Sequence, residues 1–307
     1  MSGLKNTLFL WFLWLVACGN IGNKDSLAPP VAKSEKSQTK TAIIVAANRT
    51  QEYLKHLRNK KVGVVANPTS VIFKNPSKSE QGHIHIIDSL LSLDIDIKKV
   101  FAPEHGFRGQ ADAGEAVKDG VDTQTGLPII SLYGKNRKPT STQLQGLDMV
   151  LFDIQDVGVR FYTYIATLQL VMEACAALDI PVIVLDRPNP NGHYVDGPTM
   201  EEEHQGFLGM TPIPLVYGMT IGEYATMINE EGWLVDGLKA DLTVIALENY
   251  SREKSYSLPI RPSPNLPNDQ SINLYPSLGL FEGTHINAGR GTEFQFQRFG
   301  APFLNDA

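Results

Sequence analysis

The chain has 307 residues, 42% of them hydrophobic and 20% charged, which excludes wholesale disorder and supplies enough apolar material for two modest domains around their own cores. A net charge of −6 without a long Lys/Arg block leaves no electrostatic footprint for a nucleic acid or an anionic membrane surface, so no nucleic-acid partner is expected.

In chain order the first feature is Lys5 followed by the apolar run LFLWFLWLVA at 8–17, the length of a signal-peptide core and too short to span a bilayer. The run stops at LVAC, residues 15–18, which resembles a bacterial lipobox. Residues 1–18 are therefore read as a lipoprotein-type signal with Cys18 as the lipidation site, and the polar stretch 19–40 as a flexible linker. The expected location is the bacterial cell envelope, on the periplasmic side, with a lipid anchor as the membrane attachment. With Cys18 acylated, Cys175 has no partner for a disulfide, and its setting VMEACAALDI marks it as a small buried hydrophobe.

From residue 41 onward short β-rich runs alternate with helical stretches. KKVGVVAN (60–67), IKKVFAPE (97–104), LPIISLYG (127–134), DMVLFDIQD (148–156) and IPVIVLDRP (180–188) are nearly continuous in apolar residues, as buried parallel strands require. Helices are predicted at 85–95, 141–146 and 161–180, the last with an apolar face through Ile165, Leu168, Val171, Met172 and Ala176. This alternation predicts an α/β fold, a Rossmann-like and mostly parallel sheet over 41–205. A second, smaller α+β domain is predicted over 206–307, where prolines and glycines multiply. There MTIGEYATMINEEGWL (219–234) has Thr220 and Glu223 at capping-box spacing, ADLTVIALEN (240–249) reads as a strand, and RPSPNLPN (261–268) is an extended loop.

Ligands of open parallel sheets sit beyond the carboxyl ends of the strands. Three of the predicted strands end in unusual polar groups: Glu104 and His105 with Arg108; Asp153, Gln155 and Asp156 with Arg160; and Asp186, Arg187 and Asn189. Structural readings stand beside the functional ones, since Asp153 or Asp156 can cap the next helix and Asp186 can pair with Arg187. For Glu104 the functional reading is preferred, because PEHG pins a carboxylate at a strand tip beside a glycine that admits close approach. Nucleotide-binding glycine motifs, a G-x-S-x-G elbow and H-E-x-x-H are all missing from the sequence, so no cofactor is expected. A carboxylate-rich edge with arginines, Asn and Tyr suits an acidic sugar.

Longer strings sharpen this. ANPTS (66–70), PEHGFRG (103–109), TGLPIISLYG (125–134), LFDIQDVGVRFYTYI (151–165), LDRPNPNG (185–192), YGMTIGE (217–223), RPSPNLPN (261–268), YPSLGLFEGT (275–284) and GRGT (289–292) together resemble the bacterial exo-β-N-acetylmuramidases, formerly a domain of unknown function. The resemblance implies release of N-acetylmuramic acid from the non-reducing ends of peptidoglycan fragments, in a cleft between a Rossmann-like domain and a smaller one. It places Glu104, His105, Asp153 and Asp156 in the catalytic set, with Glu104 as acid/base and Asp153 or Asp156, then Glu282, as the second carboxylate. Substrate contacts are implied for Arg108, Arg160, Tyr162, Tyr164, Asp186, Arg187, Asn189, Arg261, Asn265, Glu282 and Arg290, and Arg108, Arg160 or Arg290 are the expected clamps for the lactyl carboxylate. Family members run on past the equivalent of Ala307, so the second domain is expected to be incomplete. The competing readings are a lipid-anchored muropeptide-binding protein without catalysis, and a divalent-metal hydrolase using Glu104, His105, Asp153 and Asp186.

Overall fold

The computed structural model describes residues 41–75, 82–108 and 118–305. The signal, Cys18 and linker expectations for residues 1–40 lie outside them.

Seven strands form one sheet: β1 (Val62–Ala66), β4 (Ile97–Ala102), β5 (Gly120–Val121), β6 (Pro128–Ser131), β7 (Met149–Asp153), β8 (Val182–Leu185) and β9 (Leu242–Ile245). Their order is β5-β6-β4-β1-β7-β8-β9, parallel throughout except for the edge strand β5. Separately, β2 (Val71–Phe73) and β3 (His83–His85) pair as an antiparallel ribbon. Every residue of β1, β7 and β8 is buried, which accounts for their unbroken apolar composition.

The two-residue period of the strands sends alternate side chains to two cores. Val65, Phe101, Val150, Phe152, Val182 and Val184 pack on one face against α4 (Tyr164–Ala176) and α5 (Ile221–Glu230). Val62, Val64, Ala66, Val100, Leu151 and Ile183 pack on the other against α1 (Thr50–Leu57) and α2 (Ile86–Ser92). The predicted one-sided face of α4 is an underestimate, because the helix is buried on nearly all sides, only Leu170 and Ala176 of its residues reaching partway to solvent. Its polar residues are satisfied inside: Gln169 donates to the Trp233 carbonyl at 3.2 Å, and Glu173 accepts from Lys138 at 2.7 Å. Cys175 is buried there too, and desolvation pushes its thiol up to about 12.

The Thr220/Glu223 capping box forms as the spacing predicts. Asp186 completes that end of α5, accepting from the Gly222 amide at 2.8 Å and the Thr220 hydroxyl at 2.9 Å. Only a glycine fits at 222, since a Cβ there would stand 2.7 Å from the Asp186 carboxyl carbon. The boundary expected at 205/206 does not bound the sheet: β9 returns to pair with β8, and residues 41–307 form one compact unit. Beyond it, α6 (Asp269–Leu278) follows the proline-rich loop and was not legible as a helix, carrying Pro276 inside it. Among the described residues no helix is long and apolar enough to cross a membrane.

Candidate active site

At the tip of β4 the chain turns sharply, the Gly106 amide donating to the Pro103 carbonyl at 3.1 Å. Both His105 (φ 70°) and Gly106 (φ 76°) are left-handed. For histidine that conformation costs roughly 1–2 kcal/mol, and strain held in place by surrounding packing is a mark of functional turns. His105 is buried, and the half-buried Glu104 beside it lines a cleft of about 530 Å³. From the loop after β6, the Tyr133 hydroxyl donates to Glu104 Oε1 at 3.1 Å, and the Tyr164 hydroxyl donates to the Glu104 carbonyl at 3.3 Å. The carboxyl and its backbone are thus held from two separate elements.

The cleft floor is aromatic. Tyr162 packs edge-on against Tyr164 with centroids 4.8 Å apart, and Tyr275 packs edge-on against Phe161 at 5.1 Å and Phe296 at 4.8 Å. Tyr162 also donates to the Pro262 carbonyl at 2.6 Å, fastening the RPSPN loop so that Ser263 and Asn265 reach the cleft. Glu282 also lines the cleft, paired with Arg290 at 3.0 Å. Burial raises the Glu282 pKa, Arg290 opposes that, and the neighbouring Glu104 adds to it. The cleft therefore brings together two carboxyls within electrostatic reach of each other, apolar ring faces and an amide.

Most of the other expected residues are employed elsewhere. Asp153 is fully buried in a bidentate pair with Arg187, at 2.6 and 2.8 Å, and Arg187 also donates to the Val71 carbonyl at 3.1 Å. Neither lines the cleft; the expected helix cap by Asp153 and the expected Asp186–Arg187 pair are replaced by this Asp153–Arg187 pair, while Asp186 caps α5. Arg108 is no free anion clamp: its guanidinium makes paired bonds to Asp122, at 2.9 and 2.8 Å, and to Asp88, at 3.1 and 2.9 Å. That pairing holds Asp122 down at about 2 and pushes the arginine up. Arg160 donates to the Pro198 and Ile213 carbonyls at 2.8 and 2.5 Å, bracing two loops, and its burial lowers its pKa. Asn189 donates to the Met219 carbonyl and accepts from the Asn191 amide, both at 2.8 Å, and Asp186 caps α5. Arg261 is exposed, away from the cleft lining. The four residues of the metal reading do not converge; among the described residues the one group spaced for a cation is the exposed Glu201, Glu203 and His204.

Asp156 is buried below the cleft, accepting from the Gly158 amide at 2.6 Å and from the Tyr217 hydroxyl. Desolvation outweighs the hydrogen bonds from Tyr217 and from the Gly158 and Val157 amides to raise its pKa to about 7. The folded chain thus keeps a proton that the unfolded chain releases near pH 4. The resulting stabilisation is complete below that value and is lost as the pH rises through 7. Asp156→Asn keeps an acceptor and gains a donor, so its melting temperature should climb relative to the unsubstituted chain between pH 5 and 8, by the equivalent of on the order of 3 kcal/mol. Thermal melts across that range decide it, and parallel curves would sink the assignment.

The cleft residues that escaped sequence reasoning include Tyr133, Arg137, Phe207 and Tyr275. Tyr133 and Arg137 follow β6, a strand whose end carries no charged tip of its own, and Tyr275 sits on the unpredicted α6. The strings TGLPIISLYG and YPSLGLFEGT contain Tyr133 and Tyr275, which was the available signal.

The family model described as "Exo-beta-N-acetylmuramidase NamZ, N-terminal" matches residues 62–270, and its C-terminal counterpart matches 273–307. The peptidoglycan beta-N-acetylmuramidase NamZ of Bacillus subtilis (strain 168) is 40% identical, over 98% of this chain and 71% of its own length. Two crystal structures of DUF1343 family proteins from Bacteroides fragilis NCTC 9343 are also similar. One is 43% identical with a TM-score of 0.76, over 85% of this chain and 68% of its own. The other is 34% identical with a TM-score of 0.77, over 86% of this chain and 66% of its own.

Proposed function

The chain belongs to the exo-β-N-acetylmuramidase family, glycosidases of peptidoglycan turnover, and from that premise we propose how its cleft carries the reaction. Glu104 and Glu282 share the proton work of hydrolysing the β-glycoside of a terminal N-acetylmuramic acid. The observation that carries this is their common cleft: Glu104 at the tip of β4 beside the left-handed His105, Glu282 lining the same cleft, and Asp153 and Asp156 bonded elsewhere.

Hydrolysis needs a proton delivered to the leaving oxygen while charge develops at the anomeric carbon. A carboxyl that holds its proton can donate it, and an ionised one can stabilise the charge or activate water. Tyr133 fixes the Glu104 carboxyl by its hydrogen bond, which limits the geometries sampled before reaction. Phe161 and Leu208, which are only partly buried or exposed, offer apolar surface to the sugar over the packed tyrosines, and Asn265 offers an amide for its N-acetyl group or hydroxyls. Residues 1–40 supply the finer part of the proposal: export, acylation of Cys18, and a polar tether of residues 19–40 that leaves the catalytic body free to sample the cell wall.

The test is incubation of the chain with MurNAc-β-1,4-GlcNAc and with longer glycans that carry MurNAc at the non-reducing end. Mass spectrometry should find one free MurNAc released per glycan from both, because its loss leaves a GlcNAc at the new non-reducing end. Intact glycan recovered from a folded chain that binds it would move the assignment to a muropeptide-binding protein.

A further inference from the structure

We propose that Arg137 recognises the lactyl carboxylate of muramic acid, and so sets the preference for N-acetylmuramic acid over N-acetylglucosamine; this rests on the muramidase reading of the cleft. The two sugars differ by one ether-linked lactate, hence by one negative charge. The walls already hold the two carboxyls Glu104 and Glu282, so an incoming anion is repelled unless a cation meets it.

The cleft lining contains one Arg or Lys among the described residues, and it is Arg137. The arginines nominated from sequence are occupied: Arg108 by two carboxylates, Arg160 by two carbonyls, Arg187 by Asp153 and Arg290 by Glu282. Arg137 is different. Its guanidinium carbon lies 4.2 Å from the centroid of the Phe207 ring, which fixes the plane of the group without using its N–H donors. No carboxylate among the described residues pairs with it. The ring comes from a tight loop in which Gly206 and Gly209 bond to each other at 3.1 and 2.8 Å, so a second segment of the chain presents the platform.

Position matches the chemistry. The charge of Arg137 is felt at the Tyr133 hydroxyl, which itself donates to Glu104 at 3.1 Å. The cation and the reacting carboxyl line the same cleft, where one sugar can meet both. A planar fork of N–H donors suits a carboxylate in a bidentate pose.

The experiment measures binding of N-acetylmuramic acid, its lactyl methyl ester and N-acetylglucosamine by isothermal titration, with the chain and with Arg137→Ala. The unsubstituted chain should bind the free acid roughly 10-fold more tightly than the ester, and Arg137→Ala should lose that preference, binding the acid no more tightly than the ester. Equal affinities for acid and ester in the unsubstituted chain, or a preference that survives Arg137→Ala, would overturn the proposal. The ester control works within the unsubstituted chain and so does not depend on the variant folding. Because these titrations need no turnover, they separate two failures. An Arg137-dependent preference without MurNAc release overturns the hydrolase reading alone, whereas release with an Arg137-independent preference overturns the anchor alone.

Discussion

Glu104→Gln should lower the rate of MurNAc release by roughly 10²–10⁴-fold, the range for loss of a positioned acid or base, while leaving the fold nearly untouched. Gln keeps an oxygen to accept from Tyr133, and the side chain is only half-buried, so the stability change should stay within about 0.5 kcal/mol. Two measurements check this: single-turnover release from MurNAc-β-1,4-GlcNAc and a thermal melt of the same sample. The substrate then divides the roles. If Glu104 is the proton donor, a nitrophenyl glycoside, whose leaving group needs little protonation, should recover most of the lost rate. If Glu104 acts on the anomeric carbon instead, both substrates should lose alike and Glu282→Gln should show the recovery. A Glu104→Gln variant that is folded and fully active would remove Glu104 from the reaction.

The sheet was readable because its central strands are covered on both faces, which imposes continuous apolar runs that few other structures tolerate. Elements without that constraint left weaker traces. The ribbon of β2 and β3 has three residues per strand, β5 has two, and α6 carries a proline that argues against a helix. Glu104 was legible for a local reason, the PEHG turn, and the structure keeps it on the cleft. The fate of the arginines was not, because it depends on partners distant in sequence. Arg108 meets Asp88 and Asp122, 20 and 14 residues away, and Arg187 meets Asp153, 34 away. No spacing rule links those positions, and an arginine beside a cleft motif reads the same whether its donors are free or spent. Arg137 failed to stand out for the converse reason: it lies in a loop among other basic residues, and its environment comes from Phe207, on a different segment.

The second large effect concerns that buried pair. Arg187→Ala should destabilise the chain by about 3–5 kcal/mol, because it strands the Asp153 carboxylate in a site with no solvent access. For a body of this size that corresponds to a fall in melting temperature on the order of 10 °C. The pair ties three segments at the carboxyl edge of the sheet: Asp153 ends β7, Arg187 follows β8, and the guanidinium reaches the carbonyl of Val71 at the start of β2. Ser70 adds a further tie through its hydroxyl to the Asp153 carbonyl. Asp153→Ala should cost a similar amount, and the double substitution Asp153→Leu with Arg187→Met should recover part of the loss, since removing both charges also removes their desolvation penalty. Activity follows stability under this account, so each variant should regain MurNAc release at a temperature where it is folded. A Asp153→Asn chain that melts within about 2 °C of the original yet releases no MurNAc would return Asp153 to the catalytic set, because a purely structural carboxylate acts only through the fold it holds.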